Sequence, residues 1–182
     1  MMLTNRADKN YNNIDRGQRF SAAEINLEVN CMSNLEQGAV KIRPMTRGDI
    51  HDILALDRKF GKANTPLGYK DMVTTDPGGP LDMSFVAEIG GGIVGFAIAR
   101  LAYVMIPFTE LCIVHSILVD PDYQNRGIGV RLLGKLVGHC QEEGINTIRA
   151  LVEEQNEELA RFFERLGFHR STVVNYDKTF DD

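Results

Sequence analysis

The sequence predicts a mixed α/β or α+β domain. Over residues 39–180, strand-like apolar runs trade places with stripes of period 3.6, and glycines or asparagines mark the corners between them. The length, 182 residues, suits one domain with a full hydrophobic core and an extra tail.

In chain order, residues 1–37 stand apart. Asn5, Asn10, Asn12 and Asn13 crowd the start and large apolar residues are sparse, so the segment buries too little to offset its ordering entropy. It reads as a flexible extension, or as a leader if Met32 is the true start; a helix over 21–38 needs something to pack on. "AVKIRPM" is a short strand, and Thr46 offers an N-cap for a helix carrying Ile50, Ile53, Leu54 and Leu56. Residues 61–80 read as loop, short helix and loop. "MSFVAEI" and "IVGFAIARLAYV" form a hairpin around Gly90, Gly91 and Gly92. "ELCIVHSILV" is apolar enough for a central strand.

The next helix carries Ile128, Leu132, Leu133, Leu136, Val137 and Cys140 as one stripe, closed by Gly144 at C′. "INTIRALV" is a strand. Asn156 caps a second helix with Glu157 and Glu158 in its first turn, Leu159, Phe162, Phe163 and Leu166 on its buried face, and Gly167 at its end. "FHRSTVVNYDKTF" supplies a last strand or strands.

Composition narrows the partners. A net charge of −5 provides no bulk basic field for a nucleic-acid backbone. Cys31, Cys112 and Cys140 show no CxxC spacing, which points to reduced thiols. No apolar run approaches the roughly 20 residues that span a bilayer, and the N-terminus lacks the apolar core of a signal peptide. The expectation is a soluble cytoplasmic protein. His51, His139 and His169 do not cluster with other ligand types, so no metal site is expected.

The chemistry concentrates in "DPDYQNRGIG", residues 120–129, between the central strand and the helix. A strand-to-helix turn presents free N–H groups, and the helix macrodipole adds partial positive charge. Such a corner binds anions, usually phosphate. Gly127 and Gly129 would let phosphate approach the backbone, and Arg126 and Arg131 could add charge-assisted contacts. A tight corner alone also explains the glycines. No Gly-Lys-Ser/Thr follows and no GxGxxG is present, which lowers the nucleotide-triphosphate and dinucleotide readings.

"ILVDPDYQNRGIGVRLLGKLVGHCQEEG" resembles motif A of the GNAT family of N-acetyltransferases, Gln/Arg-x-x-Gly-x-Gly/Ala, here Gln124, Gly127 and Gly129. "NEELARFFERLGF" resembles motif B through Asn156, Phe162, Phe163, Gly167 and Phe168. The resemblance covers residues 39–180 and makes 38–182 an N-acetyltransferase domain. It implies a twisted, mostly antiparallel sheet with a V-shaped splay between two parallel strands, where acetyl-CoA lies. Backbone N–H groups of Gln124, Asn125, Arg126, Gly127, Ile128, Gly129 and Val130 would then face the pyrophosphate. Ile117, Leu118 and Val119 would run beside the pantetheine, with the Ile117 N–H polarising the thioester carbonyl. Asn156 would hydrogen-bond the pantetheine, with Leu159 and Phe163 packing nearby.

Transfer to an amine needs a proton acceptor, because a lysine-like amine has a pKa of about 10.4. Strand alternation puts Leu111, Ile113, His115, Ile117 and Val119 on one face. The family often carries a catalytic Glu or His there, and His115 is the candidate base. It could equally be a satisfied core residue. Glu110 is the fallback, aimed the other way unless the strand bulges. Many members carry a tyrosine where this chain has Phe163, which cannot donate a proton. Tyr123 is an alternative acid, since some members that acetylate protein N-termini use a tyrosine there. A thiol of pKa about 8.5 can also leave unaided. Cys112 lies at odd offset from His115 and reads as core.

The function implied is acetyl-CoA-dependent acetylation of a primary amine (peptide N-terminus, lysine or small amine) by direct attack. The alternative is a non-catalytic acyl-CoA sensor of the same fold. The acceptor is not legible, and homodimerisation stays open.

Overall fold

The computed structural model describes residues 40–59, 82–104, 109–174 and 176–178. The expected N-terminal helix, the loop–helix–loop over 61–80 and residues 105–108 lie outside them. Five strands form one open sheet in the order β1-β2-β3-β4-β5. β1 (Lys41–Pro44), β2 (Phe85–Ile89), β3 (Gly92–Val104) and β4 (Thr109–Val119) are successively antiparallel, and β5 (Ile148–Ala150) joins β4 in parallel. α1 (Ile50–Lys59), α2 (Ile128–Glu142) and α3 (Glu157–Arg165) flank the sheet. This is the mixed, mostly antiparallel class expected from the sequence.

β3 sorts the two faces. Phe96 and Ile98 pack with Ile53 and Leu56 of α1, and Ala97 and Ala99 pack with Leu132, Leu133 and Leu136 of α2. The two alanines leave room for the larger helix to lie close. The α2 stripe is buried as the 3.6 period requires, and Gly144 ends the helix at φ +76°.

A charged corner fixes β1 to α1. The Asp49 carboxylate accepts the Thr46 N–H and hydroxyl, both at 2.8 Å, and two Arg43 nitrogens at 2.6 and 2.7 Å. Arg43 also donates to Glu88 on β2 at 2.8 Å. Thr46 therefore caps as expected, but through a 3-10 turn (Arg47–Asp49) that runs into α1. The Arg43 guanidinium holds the Asp49 carboxyl down at about 2.

Three expectations need correction. Residues 168–174 and 176–178 contain no strand, and Val174 and Tyr176 are exposed, so local β propensity there is not matched by burial. The strand expected over 145–152 shortens to β5. The supposed common face of β4 fails because pairing shifts from Ile98↔Ser116 to Ala99↔Val114, leaving His115 as the extra residue of a β-bulge. Cys112 and Val114 consequently share the α2 face with Ile117 and Val119, whereas the unbroken alternation had put them opposite.

Candidate active site

The bulge sits where the parallel pair ends. β5 meets β4 only at Cys112, Ile113 and Val114, while β4 continues to Val119. Among the described residues, no strand lies beside Ile117–Val119 on the β5 side. Leu118 O faces β3, since a Cβ on Gly95 would lie 2.9 Å from it, and Asp120 N–H donates to Val94 O on β3 at 2.9 Å. Backbone groups alternate along a strand, so the Ile117 and Val119 N–H groups face the open side. Their side chains pack toward α2, and Leu118 packs toward α1.

The chain then turns into α2 through a closely bonded corner. Asp120 Oδ1 accepts the Asp122 N–H at 3.1 Å, and Asp120 O accepts the Tyr123 N–H at 2.8 Å. Gln124 Nε2 donates to Val119 O at 3.0 Å, so this amide fastens the corner to the strand end. Asn125 and Gly127 both have left-handed backbone, φ 59° and 72°. Turn conformations of this kind gather successive N–H groups into an anion-binding concavity. The first intrahelical bond runs from Arg131 N to Gly127 O, so the N–H groups of Ile128, Gly129 and Val130 precede it. N–H donors of residues 125–130 and the positive end of a 15-residue helix thus meet at the mouth of the gap.

The two glycines differ in their reasons. Gly127 is required by its positive φ; a Cβ there would meet nothing within 4 Å. At Gly129 a Cβ would touch the Phe162 ring at 3.4 Å and Val119 Cγ2 at 3.9 Å. Gly129 therefore lets α3 lie against the start of α2. The resemblance implied Phe163 beside the cofactor, and the helical stripe put Phe162 on the buried face. In the structure Phe163 is buried, edge-on to Phe168, while half-buried Phe162 lies against Gly129 at the start of α2. The signal for it was its i+3 spacing from Leu159, itself half-buried.

Arg126 donates to Asp122 O and lies 5.2 Å over the half-buried Tyr123 ring. Arg131 turns away from the corner and donates to Val40 O, so it braces β1 against α2. Asn156 Oδ1 accepts the Leu159 N–H at 3.1 Å, capping α3 as expected. His115 is exposed at the bulge; partial desolvation, then the charge of Arg100, hold its pKa below the ordinary imidazole value. That imidazole is neutral at pH 7 and competent to accept a proton. Glu110 lies five residues away, about 17 Å along the strand, and is not brought together with His115. An open concavity of about 430 Å³, lined by Ile89, Asp122, Tyr123 and Arg126, flanks the corner on the hairpin side. Cys112 and Cys140 are buried free thiols facing one another across β4 and α2, which pushes the Cys112 thiol up. Among the described residues no group of His, Cys, Asp and Glu could hold a metal, and no helix is long and apolar enough to cross a membrane.

Residues 50–168 match the model of the acetyltransferase (GNAT) family. An uncharacterised N-acetyltransferase of Methanocaldococcus jannaschii is 30% identical over 144 residues, covering 73% of this chain and 62% of the relative. The [ribosomal protein bS18]-alanine N-acetyltransferase of Escherichia coli K12 is 30% identical over 100 residues, covering 54% and 64%. The chain thus spans less than two thirds of these relatives' length. Two solved structures share the fold. Ribosomal-protein-alanine N-acetyltransferase from Brucella melitensis biovar Abortus 2308 superposes with a TM-score of 0.64 at 19% identity, covering 79% of this chain and 100% of that one. Aminoglycoside N-acetyltransferase AAC(6')-Iy in complex with CoA gives 0.65 at 18%, covering 79% and 97%.

Proposed function

The chain belongs to the acetyltransferase (GNAT) family, and from that premise we propose that it moves an acetyl group from acetyl-CoA to a primary amine. The observation that carries the proposal is the continuity of the β4–β5 gap with the left-handed corner at Asn125 and Gly127. Coenzyme A has the matching layout: a strand-like pantetheine followed by a pyrophosphate. The Ile117 and Val119 edges fit the pantetheine amides, and the N–H groups of residues 125–130 fit the pyrophosphate. Leu159 and Phe162 would shield the arm from water.

In this reading His115 takes a proton from the acceptor ammonium, directly or through water. The freed amine attacks the thioester carbonyl, whose oxygen leans on the Ile117 N–H. The C–N bond forms, the C–S bond breaks, and the amine's second proton ends on the departing thiolate. Tyr123, at the corner, is the candidate to carry it; Phe163, a buried ring without a hydroxyl, is not. A peptide N-terminus is the first acceptor to try, because a relative at 30% identity is named [ribosomal protein bS18]-alanine N-acetyltransferase.

The test is calorimetric titration with CoA, then incubation with acetyl-CoA and peptides, lysine analogues and small amines, with product mass detection. A gain of one acetyl group on an amine supports the proposal. CoA binding without any product would favour the non-catalytic sensor, and no CoA binding would remove both.

A further inference from the structure

The corner that would receive a pyrophosphate is braced by an anion. Asp120 follows β4 directly, its carboxylate is only 8% exposed, and one oxygen caps the Asp122 N–H. Its other oxygen accepts Lys59 Nζ at 2.6 Å. Lys59 is the last residue of α1, 61 positions earlier in the chain. Asp122 of the same corner also lies within its electrostatic reach. The cap needs only a side-chain oxygen, but as a carboxylate it brings a charge that repels phosphate.

We propose that Lys59 is a positioning residue that compensates Asp120, allowing a buried carboxylate to shape the corner without repelling an anionic ligand. The proposal rests on the acetyl-CoA reading above. It makes the end of α1 part of the cofactor site through charge rather than contact. An uncompensated charge within about a Debye length of a pyrophosphate weakens binding by about tenfold at low salt.

Calorimetry with CoA on wild type, K59M, K59R, D120N and D120N/K59M tests this. Asparagine caps as well as aspartate, so D120N removes charge and keeps the corner. K59M should bind about tenfold more weakly at about 0.05 M salt, with the deficit shrinking at about 0.5 M. K59R should keep wild-type affinity, and D120N/K59M should return to within about twofold of it. A lysine that merely packs would leave the double variant as weak as K59M. That result, or K59M binding like wild type, overturns the proposal. A wild type that gives no heat with CoA removes the acetyl-CoA reading itself.

Discussion

The two walls of the β4–β5 gap are built differently. On one side β4 is 11 residues long, pairs with β3 at every residue but the bulged His115, and is backed by α2 with Ile128, Leu132, Leu133, Leu136 and Cys140 buried. On the other side β5 is 3 residues long and α3 buries Phe163 alone. A fully buried leucine contributes about 2 kcal/mol, so α2 is anchored several-fold more firmly than α3. In the acetyl-CoA reading, adjustment to the ligand is expected of the thin wall rather than the firm one. In the same reading, the firm wall carries the groups whose geometry would have to be ready in advance, the N–H donors of the corner and the edge of Ile117–Val119. The thin wall can move against a ligand.

Substitutions on each wall put this contrast at risk. The largest effect is expected from Leu136→Ala, which should cost about 3 kcal/mol in chemical denaturation, while Leu159→Ala on half-buried α3 should cost about 1 kcal/mol or less. Equal costs would mean the walls are equally firm. Next comes His115, at the point where the walls part. His115→Ala should lower kcat about 100-fold at neutral pH. In the wild type, kcat/KM should fall on acidification with an inflexion below the ordinary imidazole value of 6.5, as the lowered pKa requires, and the variant should lose that limb. An unchanged pH profile would reassign the base.

Asp49→Asn should cost about 2 kcal/mol at pH 7. The folded pKa of about 2 lies below the ordinary 3.8, so this stabilisation is complete above that value and is lost as pH falls toward 2. Denaturation of both proteins from pH 7 to 2 should show the curves converging. The smallest effect is expected at Asn156→Ala, about 1 kcal/mol from the lost cap. Hydrogen exchange should confine it to α3, since the thin wall can fray without unfolding the sheet.

The firm wall was also the legible one. Period 3.6 marked the α2 stripe, and the succession of strand, polar corner and helix was legible too, because local spacing alone determines both. What escaped depended on partners far along the chain. A bulge at His115 is set by pairing with β3, and it reversed the face assigned to Leu111 and Ile113. The Lys59–Asp120 ion pair joins residues 61 apart, which no local pattern announces. Gly129 was read for its closeness to phosphate, but the atoms nearest to it belong to Phe162, brought there by the fold of α3 onto α2. At residues 168–174 and 176–178 the sequence favoured a strand, but every described residue after Phe168 is exposed.

Whether a preformed wall receives coenzyme A while its thin partner closes is decided by hydrogen exchange with and without CoA. New protection is expected at the N–H groups of residues 125–130 together with Ile117 and Val119, with slower exchange in α3. Protection confined to other segments, with the corner and the β4 edge unchanged, would refute this arrangement.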